Sequence, residues 1–170
     1  MRKTVFAFLL IPFLSFVTAD WITTKIDERT SIEFPTETES KDLNGNTMWL
    51  NQISEDARCM VMVMDFAKMG ADSATLAEEM NRPESYEQFK QGVVGEIEGA
   101  SLISEKNTHW KGYKTFEFLI DMGKTETGLN RMYSKSIFIG TKMYSLSFFE
   151  KNTKPQPALR NKFFNSFKAG

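Results

Sequence analysis

The 170-residue chain carries 21 Lys and Arg against 22 Asp and Glu, a formal net charge of −1, which offers no electrostatic footprint for nucleic acid or an anionic membrane surface. Its length suits one domain with a real core. A single cysteine, Cys59, excludes an internal disulfide, so the fold must rest on apolar packing.

Residues 1–19 (MRKTVFAFLLIPFLSFVTA) place Arg2 and Lys3 before an apolar run from Val5 to Val17, too short to span a bilayer comfortably, and end in Val17-Thr18-Ala19. This pattern predicts a signal peptide cleaved after Ala19, a secreted or periplasmic mature chain from Asp20 and no stable membrane anchor thereafter. Losing Arg2 and Lys3 makes the mature charge two units more negative. No Asn-x-Ser/Thr sequon occurs, which leans toward a bacterial envelope or secreted protein.

Ser31–Thr36 alternates Ile32 and Phe34 with polar neighbours and stops at Pro35, predicting a short edge strand. Asn44-Gly45 marks a turn, and Thr47–Ser54 reads as a strand with Met48, Leu50 and Gln52 opposite Trp49, Asn51 and Ile53. After a turn at Asp56-Ala57, Arg58–Phe66 (RCMVMVMDF) puts Met60, Met62, Met64 and Phe66 on one face and Cys59, Val61, Val63 and Asp65 on the other. Both faces are largely apolar, which predicts a central strand covered on two sides. Ser73–Met80 predicts a short helix capped by Ser73, and Asn81-Arg82-Pro83-Glu84 the start of a second, capped by Asn81. Tyr86, Phe89, Val93 and Ile97 share one face of that second helix.

Ser101–Asn107, Tyr113–Asp121, Arg131–Ile139 and Met143–Glu150 are four further strands, with turns at Lys111-Gly112 and Gly140–Lys142 and a polar loop over Gly123–Gly128. Pro155-Gln156-Pro157 starts a last helix in which Leu159, Phe163 and Phe167 share a face. The order βββ–α–ββββ–α predicts an α+β fold, an antiparallel sheet of six to seven strands with helices on its faces, in one domain spanning 20–170.

Several short stretches carry a resemblance. Ile32-Glu33-Phe34-Pro35, Leu102-Ile103-Ser104-Glu105-Lys106, Gly112–Phe118 (GYKTFEF), Tyr144-Ser145-Leu146 and Lys162–Lys168 (KFFNSFK) look like the first strand, central strands, hairpin and closing helix of the Mog/PsbP-like superfamily. The small secreted or lipid-anchored bacterial members, including DcrB-like proteins, are the most similar. The resemblance implies an α/β/α sandwich around an antiparallel sheet, and partner binding in accessory roles rather than a shared catalytic centre. Thr115 stands where the family usually has glycine, and the cysteine of a lipid-anchor signal is missing, which argues for a soluble protein.

Little else reads as chemistry. His109 is the lone histidine, some fifty positions from Cys59, so a Cys-His pair requires the fold to bring two strands together. A structural zinc site wants four Cys or His ligands. There is no Gly-rich phosphate loop, nucleophile elbow or EF-hand loop, so no cofactor and no catalytic residue is expected. Trp49, His109 and Trp110 neighbour turns and are candidates for a partner or ligand surface, against the competing account of ordinary packing at sheet ends.

The leading functional reading is thus a secreted or periplasmic, non-catalytic protein that binds a protein partner or a small apolar ligand. One alternative is soft-metal (copper) handling through methionine and Cys59, which requires Met60, Met62 and Met64 to share an open face with another methionine or His109. The other is a hydrolase-type enzyme, which requires His109 beside a carboxylate or Cys59 in a cleft.

Overall fold

A computed structural model of the chain describes residues 20–170, so the expected signal peptide and its cleavage point lie outside the described residues. The first part of the chain forms β1 (Ile22–Lys25), β2 (Thr30–Phe34), β3 (Ser40–Leu43), β4 (Asn46–Ser54) and β5 (Ala57–Asp65). A 3-10 turn over Phe66–Met69 then leads to α1 (Ser73–Asn81) and α2 (Pro83–Gly95). The second half adds β6 (Ser101–Trp110), β7 (Tyr113–Asp121), β8 (Arg131–Ile139), β9 (Lys142–Glu150), α3 (Pro157–Ser166) and β10 (Lys168–Ala169).

Seven strands form one antiparallel sheet in the order β3-β4-β5-β9-β8-β7-β6, while β1, β2 and β10 form a small second sheet. The expected α+β architecture is the one adopted. On one face of the large sheet Phe116, Phe118 and Ile120 of β7 lie beneath α1 and α2, with Tyr86 and Phe89 at 4.9 and 5.4 Å from Phe116 between ring centroids. On the other face Tyr144, Leu146 and Phe148 of β9 pack against Phe163 of α3, its C-cap Phe167, and Ile32 and Phe34 of β2. These two alternating sets of side chains are the two cores, on opposite faces of the sheet.

Two hairpins turn on left-handed residue pairs: Asn44 (φ 54°) with Gly45 (φ 82°), and Lys111 (φ 50°) with Gly112 (φ 86°). A two-residue type I′ turn, whose twist matches its flanking strands, needs positive φ at both positions. A Cβ at Gly45 or Gly112 would meet open space, so the need for glycine is conformational rather than steric.

Several expectations are corrected. β2 is the middle of the small sheet, not an edge, because β1 and β10 flank it with four and two short register pairs. β3 extends the expected 41–46 turn into a paired strand, and β1 and β10 are also new; all three are short, and β3 is fully exposed, so none shows an apolar period. Asp72 rather than Ser73 caps α1, accepting from the Ala74 and Thr75 amides at 2.9 Å. Arg82 rather than Asn81 precedes α2 and makes no side-chain cap, and Ile97 falls beyond that helix's end.

The strand RCMVMVMDF departs most from its expectation. Cys59 and Val61 are fully buried, but Met60, Met62 and Met64 are only half-buried. Seven strands at roughly 4.8 Å spacing make a sheet about 29 Å wide, whereas two helices side by side cover about 20 Å. Helices α1 and α2 lie toward β6–β8, so the β3–β5 end of that face is left open.

Candidate binding surface

The three residues nominated by sequence do not come together. Trp49 points into the core beside Val61 and is 6% exposed, so it offers no surface; its register partner Val61 and the small sheet enclose it. His109 is exposed on the edge strand β6, opposite Lys114, above a groove floored by Leu76, Met80 and Phe138. Trp110, next along the strand, faces the other way and is half-buried, 5.4 Å from Phe167, with the Lys111 ammonium 4.8 Å from its ring. Five strand spacings, about 24 Å, separate β4 from β6.

Cys59 and His109 are likewise four strands apart, about 19 Å, and on opposite faces of the sheet, so they cannot form a nucleophile–base pair. Burial pushes the Cys59 thiol up to about 12. Among the described residues no three of His, Cys, Asp and Glu gather as a metal ion would need.

The distinctive surface is the open sheet face. Strand register fixes its members: Lys41 lies opposite Met48, Met48 opposite Met62 and Leu50 opposite Met60. Leu43 shares this face two residues beyond Lys41 and is 47% exposed; Leu50 is 43% exposed. Ser145 and Ser147 of β9 bound it toward the helices, Lys41 and Arg58 bound it with positive charge, and Arg58 Nε donates to Gln52 Oε1 at 2.8 Å. Only Met64 and Phe66, at one end of the stripe, reach the core beneath the helices. Alternation already placed Met48 and Leu50 on one face of their strand. Nothing local to the sequence signalled that this face has no cover.

The opposite face holds a structural polar cluster. Asp27, in the β1–β2 turn, accepts from Tyr144 Oη at 2.5 Å, Lys142 Nζ at 2.9 Å, Thr30 Oγ1 at 2.8 Å and the Arg29 and Thr30 amides at 2.9 Å. Burial alone would raise the Asp27 carboxyl, but these donors outweigh it and hold the group well below the usual carboxylate range. Burial and the Asp27 charge raise the Tyr144 hydroxyl in turn. Every lone pair of this carboxylate is engaged, which suits a latch tying the small sheet to β9 rather than a reacting acid. A second groove runs along α3, where Lys135 pairs with Glu117 at 2.9 Å beside Asn161 and Phe164.

No protein-family model and no curated protein matches the sequence. Among solved structures, the chain is similar to cyanobacterial PsbP (CyanoP) from Synechocystis sp. PCC 6803, with a TM-score of 0.60 at 10% identity over 92% of this chain and 96% of that one. It also aligns with the Ran-binding protein Mog1p of Saccharomyces cerevisiae, with a TM-score of 0.47 at 8% identity over 88% of this chain and 96% of that one. The arrangement of an antiparallel seven-stranded sheet between two helices and a third helix with its small sheet is a PsbP-like fold, and the chain has that fold.

Proposed function

We propose that the chain is a secreted or periplasmic, non-catalytic accessory protein that docks a protein partner on the open face of β3–β5. The observation that carries this reading is the uncovered row of Leu43, Met48, Leu50, Met60 and Met62, apolar groups left facing water by helices that stop short. Exposed apolar surface of this kind is characteristic of interaction sites, and methionine side chains adapt to a partner's shape. The rim formed by Lys41 and Arg58 favours a partner whose own apolar patch is edged by carboxylates. The grooves beside His109 and along α3 suit a small apolar ligand less well, because Lys114 edges the first and Glu105, Lys106, Glu117, Lys135 and Arg160 edge the second. The hydrolase reading loses its best nucleophile to the separation of Cys59 from His109.

A photo-crosslinking amino acid at Leu50, in cells exporting the full chain, tests the proposal. The expected result is one reproducible protein adduct on a chain whose first residue is Asp20, lost when Met62→Lys is added. Capture that is indifferent to Met62→Lys, or a chain retained in the cytoplasm with its first nineteen residues, would overturn it.

A further inference from the structure

We propose that the same open face binds Cu(I) through the thioethers of Met48, Met62 and Met60. Along β5 alone, Met60, Met62 and Met64 are strung out at roughly 6–7 Å per step, too far for three sulfurs to meet one ion. The register of β4 changes this. Met48 stands directly opposite Met62, where Cβ atoms lie about 4.5–5.5 Å apart, and diagonally to Met60, about 7–8 Å away. Each sulfur sits two bonds beyond its Cβ on a freely rotating stem, so the three can close over a point above the sheet. A line of sulfurs has become a triangle.

These methionines are not needed as filler. Met48, Met60 and Met62 belong to neither core cluster, unlike Met64, Met132 and Met143, which pack beneath the helices. A side chain that fills no gap yet repeats three times at one spot on an open face needs another account, and its chemistry supplies one. Thioether sulfur is neutral, soft and polarizable, which selects Cu(I) over Zn, Ca or Mg. The groups that strand register places beside the triangle on β4 and β9 are Leu50, Ser145 and Ser147, none of them a carboxylate or an imidazole that would favour a harder ion. Cys59 contributes nothing, since it is fully buried on the other side of the strand. The positive groups that strand register places on this face are exposed Lys41, opposite Met48, and half-buried Arg58, two residues before Met60; they weaken cation binding, an effect that water and salt screen most at Lys41.

The site shares its surface with the docking reading but differs from it in chemistry. Leucine conserves the volume and apolarity of methionine and removes the sulfur. Anaerobic titration of the purified chain with Cu(I) against a chromophoric chelator should give one equivalent bound more tightly than micromolar. Met48→Leu and Met62→Leu should each weaken binding by about tenfold or more, whereas Met69→Leu on the 3-10 turn should leave it unchanged. Affinity should stay flat between about pH 5.5 and 7.5, because a thioether releases no proton on binding, whereas a site using His109 or Cys59 would weaken as the pH falls. Binding no tighter than micromolar, indifference to Met62→Leu, or loss of binding in Cys59→Ala would overturn the assignment. Crosslinking from Leu50 that survives Met62→Leu while copper binding is lost separates the two readings. Loss of the adduct with copper binding intact would refute docking alone.

Discussion

At the scale of single residues, charge placement decides more than charge number. Asp27 is one of 22 acidic residues, but it alone collects Tyr144, Lys142, Thr30 and two backbone amides, and it joins the β1–β2 turn to β9. Its carboxyl is held below the ordinary range, so the stabilisation is complete above the unfolded value of about 3.9 and is lost as the pH falls through and below that value. Asp27→Asn should therefore lower stability at pH 7 by about 1–3 kcal/mol, read from the urea midpoint. The gap between variant and wild type should narrow as the pH is taken from 5 towards 3. A gap that stays constant over that interval would remove the carboxylate from the account. Sequence could not find this residue: Asp27-Glu28 reads as an ordinary solvated pair, and its partners lie 115 and 117 positions away.

At the scale of elements, the long strands and the alternating β2 were legible, whereas β1, β3 and β10 were not. β7 and β9 show apolar alternation over a buried face, β4, β5 and β8 carry apolar residues on both faces with buried positions on at least one, and the expected bounds of all five fall within a few residues of those observed. β3 (SKDL) is fully exposed, so pairing alone makes it a strand, and its charges suit a sheet edge that must not recruit another chain. β6, at the other edge, exposes Glu105, Lys106 and Asn107 and breaks register between Leu102 and Ser104, which blunts it in the same way.

Helix α3 depends on a partner that its own sequence does not contain. Gln156 makes no side-chain cap; instead Glu150 of β9, completely buried, accepts from the Gln156 amide at 2.9 Å and from Arg160 at 2.7 Å. Arg160 also stacks 3.8 Å from the Tyr133 ring centroid. Arg160→Ala leaves a buried carboxylate without its cation and should cost about 3–5 kcal/mol in thermal or urea unfolding. Adding Glu150→Gln should recover part of that loss, and a variant as stable as the parent would show that the pair is not what anchors the helix.

At the scale of the whole molecule, two cores on opposite faces of one sheet make unfolding a joint event. Cys59 lies at the centre of the core under α3, with its thiol pushed up to about 12 by burial. It should ignore a thiol-specific reagent at pH 8 in the native state and react at the rate of global unfolding, rising with denaturant in step with the loss of tertiary structure. Fast labelling of the native protein would show that this core opens locally.

The RCMVMVMDF stretch marks where the two levels of description part. Period two sorted its side chains onto two faces correctly, because alternation is a property of the extended backbone. Composition alone, apolar on both sides, implied two covered faces, and the structure covers only one of them along the strand's length. The reason is geometric: two helices are narrower than seven strands, and which strands they leave bare depends on the sheet order β3-β4-β5-β9-β8-β7-β6, which no local pattern encodes. By itself the sequence determined the fold class, the long strands, the turns at Gly45 and Gly112 and the absence of a disulfide, since each follows from local sterics, periodicity or a count. Only the tertiary structure decided that Trp49 is core, that Cys59 and His109 never meet, and that Met48 faces Met62 across an open surface. Those are facts of register and coverage between segments distant in the chain.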